Sequence, residues 1–363
     1  MIMYVLIFIP ILTSTVVVVY NFLTAPVVKN NTVKIDGSEL VSVLIPARNE
    51  EKNIGSCLNF ILAQDYKNLE VLVLNDQSTD RTKEIINSFS EKHKNIFCIE
   101  GEPLPQNWTG KNWACHQLSQ KAKGKYLLFV DADVELASSA ISSAIKIMTD
   151  TKTKMLSVFP TQRIKSIGEW FIVPLMNWLL LSFLPLRQVY ASNNKSFIAA
   201  NGQFMLWHRE LYFSVGGHKQ VSNAIVEDME LARKAKQENK IITLLGGNVI
   251  FCRMYINFLG AFKGFSKNFY PGFNLSPIIF IGFVLVLFFL FAVSSVFALT
   301  DSNYMIVVML IVLSRILISQ ISQQNLFLNV FLHPLQMVLM LVIGFNSVFS
   351  TKLGYISWKE RKL

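Results

Sequence analysis

Apolar residues along this chain fall into runs of two lengths, and the lengths assign them to different structures. Short runs at 41–45, 71–74 and 126–130 are rich in Val, Leu and Ile and read as buried strands. Between them the pattern turns helical. Residues 50–64 place Ile54, Leu58, Ile61 and Leu62 on one face. Ser78 and Thr79 offer an N-cap for a helix over 80–93, and 96–99 is a short strand. A helix over 111–123 is expected to close at Gly124 in a left-handed C-cap, and another covers 229–240. Strand and helix in alternation predict an α/β fold built on a mainly parallel sheet.

The long runs are of another kind. Residues 1–23 are almost wholly apolar, carry no Lys or Arg, and can span a bilayer. Residues 277–299 form a second clear span, 304–321 a weaker one containing Arg315, and 326–349 a fourth interrupted by His333-Pro334. The expected organisation is an N-terminal transmembrane helix at 1–25, a domain of about 240 residues at 29–267, transmembrane helices within 272–350 and a basic tail at 351–363. Residues 163–190 stand apart. Their apolar stretch is broken by Pro174 and Pro185, and Trp170 and Trp178 suit a segment on the cytoplasmic membrane face, with a buried helical hairpin as the alternative.

Composition agrees with a membrane protein. The chain has 363 residues, 52% of them hydrophobic, and a mean hydropathy of +0.40. All 34 Lys and Arg lie beyond the first span, which puts the domain in the cytoplasm and the amino terminus outside. The net charge of +10 suits an anionic inner leaflet, and no recognition motif supports nucleic acid as the partner. Lys352, Lys359, Arg361 and Lys362 favour a cytoplasmic tail, which predicts that 304–321 does not fully cross. Cys57, Cys98, Cys115 and Cys252 lack metal-like spacing and read as free.

The candidate chemistry sits where strands end. The three runs lead into Pro46-Ala47-Arg48-Asn49-Glu50, Asn75-Asp76 and Asp131-Ala132-Asp133. Ligands of open α/β sheets bind beyond the carboxyl ends of strands, so Arg48, Asp76, Asp131 and Asp133 share one rim. An Asp-x-Asp pair there offers hard oxygen ligands for a divalent metal carrying a diphosphate. Any one of these polar strand ends could be a turn and nothing more. The three together indicate a site.

These motifs, in this order, closely resemble the nucleotide-sugar half of family-2 glycosyltransferases. The resemblance continues through Asn107-Trp108-Thr109-Gly110-Lys111, Asn201-Gly202-Gln203, Gly216-Gly217-His218 and Val226-Glu227-Asp228, so it covers nearly the whole soluble domain. Gln77 stands where the family's Asn-Asp-Gly-Ser-Thr-Asp motif has glycine, which leaves the turn there open. Within the family the chain is most like the membrane-bound lipid glycosyltransferases of the diaponeurosporenoate (carotenoid) type, with hopanoid and ceramide types nearby.

The resemblance implies a nucleotide-diphospho-sugar transferase (GT-A) fold and an inverting transfer of a hexose, glucose being the expected sugar, from a UDP-sugar to a hydrophobic lipid. It further implies that Asp76 accepts the uracil N–H, with Pro46 and Ala47 framing the base and Arg48 and Glu50 alongside. Asp131 reaches the ribose or a metal-bound water, Asp133 binds Mg²⁺ or Mn²⁺, and Asp228 is the general base. Lys111 contacts phosphate or is a solvated lysine at a helix start. Arg253 neutralises the leaving diphosphate or anchors the domain to headgroups. Asp228 also sits where an acid complements a helix dipole. Two rivals remain: transfer to a polyprenyl phosphate, and a non-catalytic membrane scaffold that keeps the fold.

Overall fold

The structure, a computed structural model, describes residues 2–30, 39–238, 240–355, 357–358 and 361–362. Lys359 lies outside the described residues. The strands are β1 Val41–Ala47, β2 Leu69–Asn75, β3 Ile96–Glu100, β4 Tyr126–Val130, β5 Val134–Leu136, β6 Met155–Phe159, β7 Thr161–Gln162, β8 Phe204–His208, β9 Ile241–Leu245 and β10 Ile250–Cys252. Around them run α1 Ile2–Thr24, α2 Ile54–Leu62, α3 Thr82–Ser90, α4 Gly110–Lys121, α5 Ala140–Thr151, α6 Ile167–Trp170, α7 Pro174–Phe183, α8 Gln188–Ala191, α9 Arg209–Ser214, α10 Glu227–Glu238 and α11 Phe258–Phe273. The remaining helices are α12 Pro277–Phe288, α13 Ser294–Phe297, α14 Met305–Ile321, α15 Leu326–Phe331 and α16 His333–Lys352.

The main sheet has the order β3-β2-β1-β4-β8-β6-β9. Its first four strands are parallel, as the alternation predicts, and β6 pairs parallel with β9. β8 lies antiparallel between β4 and β6. The order reverses at β1, whose neighbours are β2 and β4. A crevice therefore opens beyond the carboxyl ends of β1 and β4. Because β8 runs the other way, with Val130 opposite Phe204, its leading residues Asn201–Gln203 come to the same rim. A small sheet, β5-β10-β7, follows the Asp-x-Asp turn and sets Cys252 opposite Val134.

Two local readings differ from expectation, and one left open is resolved. Helix α4 ends at Ala122 in extended backbone, and Gly124 is not a left-handed cap. Gly124 instead passes so close to β1 that a Cβ would lie 2.6 Å from Ser42 N. Ser78 and Thr79 do not cap α3. They pair with Asn49, Ser78 Oγ accepting from its N–H and the Thr79 N–H donating to its Oδ1, while Asp80 Oδ1 accepts from Thr82 N at the helix start. Gln77 adopts the left-handed conformation that the family's glycine would hold, at φ 53°.

Among the described residues, four helical stretches are long and apolar enough to cross a membrane: Ile2–Thr24, Pro277–Phe297, Ser302–Ile321 and His333–Lys352. Arg315, the reason to doubt the third, is buried among its neighbours, donating to Asn329 O and to Gln336 Oε1. Its placement answers the charge objection to that span. Trp178 is buried as well, packed edge-on against Phe183 and Phe291, so it does not serve as a headgroup anchor. Helix α7 is fastened to α1 by Asn21, whose Nδ2 donates to Leu181 O and Leu184 O at 2.8 Å. After α1 the chain joins the sheet edge, with Val28 N donating to Leu245 O and Leu245 N to Pro26 O, both at 2.9 Å.

Candidate active site

One cleft of about 1420 Å³ collects most of the expected site residues: Pro46, Glu50, Lys111, Asp131, Asp133, Asp228 and Arg253. Ala47, Arg48 and Asp76 lie beside it at the ends of β1 and β2. Arg48 turns inward, donating from Nη1 to Asp76 O at 2.7 Å and Gln77 O at 3.1 Å. It braces the turn that carries Asp76. The Asp76 N–H donates to Ala47 O at 2.8 Å, which locks the two strand ends together.

Lys111 reaches the rim because Thr109 caps α4 in its first turn, accepting from Asn112 N. Asn112 in turn donates to Val221 O, Ser222 O and Ala224 O, tying α4 to the loop that leads into α10. The Lys111 ammonium bridges Asp131 at 3.0 Å and Glu227 at 3.1 Å. Burial opposes its charge, yet the two carboxylates hold its pKa well above the ordinary lysine value. Lys111 is therefore a structural cation of the rim and not a solvated helix-start lysine.

Asp228 opens α10. Its Oδ2 accepts from Gly202 N at 2.8 Å and its Oδ1 from Met229 N at 2.7 Å. Gly202 leaves little room there, since a Cβ would lie 3.1 Å from Lys111 Nζ and 3.2 Å from Glu227 Oε1. Burial, then the charge of Glu227, pushes the Asp228 carboxyl up to about 7. That suits a group that takes a proton near neutral pH.

Asp133 also rises to about 7, through burial and then the charges of Asp131 and Glu50. Its Oδ1 is buried without a hydrogen-bond partner. An orphaned carboxylate oxygen beside further acids is a donor set that fits a divalent cation. Among the described residues no group of three or more His, Cys, Asp or Glu could hold a metal alone. Asp131 and Asp133 would thus need phosphate oxygens and water to complete the shell.

Two partners were not foreseen. Glu227 pairs with Lys111, although its neighbour Asp228 was the residue singled out. Glu169, buried at the start of α6, holds Arg253. The first pair was findable from the adjacent Glu-Asp. The second joins residues too distant in sequence to leave a local signal. The same cleft is also lined by Met176, Leu179, Leu180 and Phe183 of α7 and by Phe269 and Phe273 of α11.

The fold and rim define a GT-A-like glycosyltransferase architecture. A mannosyltransferase of Pyrobaculum calidifontis, solved in complex with GDP-Man and Mn²⁺, superposes with a TM-score of 0.53 at 19% identity, covering 75% of each chain. Residues 42–212 match the family model Glycosyl transferase family 2. The 4,4'-diaponeurosporenoate glycosyltransferases of Staphylococcus aureus strains RF122 / ET3-1 and USA300 are each 29% identical over 238 residues, 64% of this chain and 61% of theirs. The chain thus spans about three fifths of the length of these curated relatives.

Proposed function

We propose that the protein is a membrane-bound, metal-dependent, inverting hexosyltransferase that moves a hexose, glucose first among candidates, from a UDP-sugar to a hydrophobic lipid. The observation that carries this reading is the single cleft. Its lining joins Asp131, Asp133, Lys111 and Asp228 to apolar side chains of α7 and α11. A nucleotide sugar suits the polar part and a lipid tail the apolar part.

In this reading Asp76 takes the base, and Asp131 and Asp133 would hold Mg²⁺ or Mn²⁺ against the diphosphate. The bound cation would supply charge stabilisation to the departing nucleotide. Asp228 accepts the proton of the acceptor hydroxyl as that oxygen bonds to the anomeric carbon. The bond from this carbon to the diphosphate oxygen breaks, and its electron pair leaves with UDP. One direct displacement inverts the anomeric centre. Gly202 N and Met229 N hold the carboxylate in place for the transfer.

The catalytic domain faces the cytoplasm, where nucleotide sugars are available, in keeping with the placement of Lys and Arg beyond the first span. The name of the S. aureus relatives makes a carotenoid the first acceptor to try. The test uses the full chain in detergent with Mn²⁺. UDP is titrated by calorimetry with GDP as competitor, and UDP release from UDP-hexoses is then followed with and without lipid. Lipid-stimulated UDP release with a β-glycoside product from an α-linked donor is expected. A chain that binds no UDP, or binds GDP in preference, overturns the donor assignment. Full activity of Asp228→Asn on a polyprenyl phosphate would favour that acceptor, which is already an anion.

A further inference from the structure

Lys267 lies on α11, beyond the part of the chain that matches the family, yet it lines the same cleft as Lys111, Asp131 and Asp228. Several contacts bring it there. Helix α11 begins at Asn257, whose side chain accepts from Gly260 N and so caps the first turn. One turn on, Gly264 comes down onto Tyr255 so closely that a Cβ would stand 2.2 Å from Tyr255 Oη. At the far end Tyr270 N donates to Ser347 Oγ of α16 at 2.9 Å, which fastens α11 to a candidate membrane span. Lys267 falls between these two points.

Lys267 is partly buried, and among the described residues it makes no ion pair and no hydrogen bond. Burial lowers its pKa, while Glu227, Asp131 and Asp228 pull the other way and Lys111 repels it. It is thus close enough to feel the carboxylates at the rim and engages none of them. A lysine that only balanced local acids would close an ion pair, as Lys111 does with Asp131 and Glu227. Arg48 and Arg253, the other cations expected at this rim, are taken up by backbone carbonyls and by Glu169. Lys52, Lys165 and Lys263 also line the cleft with no ion pair or side-chain hydrogen bond among the described residues, and Lys267 is set apart from them by the pull of Glu227, Asp131 and Asp228 on its ammonium; a diphosphate beside Asp131 brings the anion that would use its hydrogens.

We infer that Lys267 binds the diphosphate of the nucleotide sugar, so that a membrane-fastened helix completes the donor site. This rests on the donor reading given above. Its consequence is that the donor site is not closed by the soluble domain alone.

The experiment titrates UDP and UMP into the full chain in detergent with saturating Mn²⁺, for wild type and for the Lys267→Gln and Lys267→Arg variants. Loss of one charge-assisted contact should weaken UDP binding by roughly tenfold or more in Lys267→Gln and weaken UMP binding much less. Lys267→Arg should restore most of the UDP affinity, which a merely misfolded site would not allow. Unchanged UDP affinity in Lys267→Gln overturns the assignment, and a rise confined to the lipid KM would place Lys267 on the acceptor instead. Wild type that fails to bind UDP overturns the donor reading itself, a result separable from the other two.

Discussion

Arg253 Nη2 donates to Glu169 Oε1 at 2.6 Å, and Arg253 Nε reaches the same oxygen at 3.2 Å. The other Glu169 oxygen accepts from Lys165 N at 2.7 Å and from Ser166 N at 3.3 Å. One buried carboxylate thus locks the end of β10 to the start of α6. Arg253 shapes the cleft wall through this partner. Glu169→Gln and Arg253→Ala should raise the donor KM by a similar few-fold, with the double variant little worse than either, because neighbours that share one interaction are not additive. Steady-state kinetics on the three variants checks this. An Arg253→Ala defect far exceeding that of Glu169→Gln would return Arg253 to direct contact with phosphate.

Asp133→Ala should cut transfer by at least about a hundredfold and abolish the Mn²⁺-dependent gain in UDP affinity. Metal-free stability should move the other way. A carboxyl raised from 3.8 to about 7 binds its proton more tightly in the folded chain. Its ionisation therefore weakens the fold, by nothing below the lower value and fully above the higher one. Asp133→Asn should melt higher than wild type at about pH 8 without metal, and the gain should vanish near pH 4. Thermal unfolding in chelator at the two pH values is the measurement. A lower melting point at pH 8 would mean that Asp133 is not an uncompensated buried charge.

Asp228 must be ionised to accept a proton, and its carboxyl sits at about 7. With Mn²⁺ saturating, kcat/KM should therefore rise with pH through about 7 and level off above it. Asp228→Asn should lower kcat by about 10²–10⁴-fold, lose that acid limb and keep UDP affinity within roughly twofold. A pH profile measured on both proteins decides. A limb that survives in the variant belongs to another group.

Asp76→Ala should weaken UDP binding more than it slows the bound complex, since the base lies away from the charge that develops at the diphosphate. Calorimetry and single-turnover rates separate the two effects. Unchanged UDP affinity would remove Asp76 from the nucleotide site.

Much of this architecture was legible in the sequence. The strands with Asp76 and Asp131 at their ends announced both the sheet and its rim, because alternation and strand-end chemistry are local. Gly124 was misread for the same reason. Nothing near it says whether a glycine is needed for its own dihedral angle or for the approach of Ser42, which packing alone brings close. Arg315 looked like a defect in a span until Gln336 and the Asn329 carbonyl, both from later segments, were set against it. The Lys111–Glu227 pair and the position of Lys267 depend on how α4, α10 and α11 converge. That convergence is a tertiary property with no periodic trace.

The apolar walls of α7 and α11 have a kinetic consequence. In the function proposed above, the lipid meets these walls beside the candidate membrane helices, while the nucleotide reaches Asp131 and Asp133 from water. The two substrates then arrive by diffusion in different dimensions. The donor follows its bulk molarity, whereas the acceptor follows its mole fraction among the surrounding lipids. Adding inert lipid at constant total acceptor should slow the enzyme, and adding buffer should not.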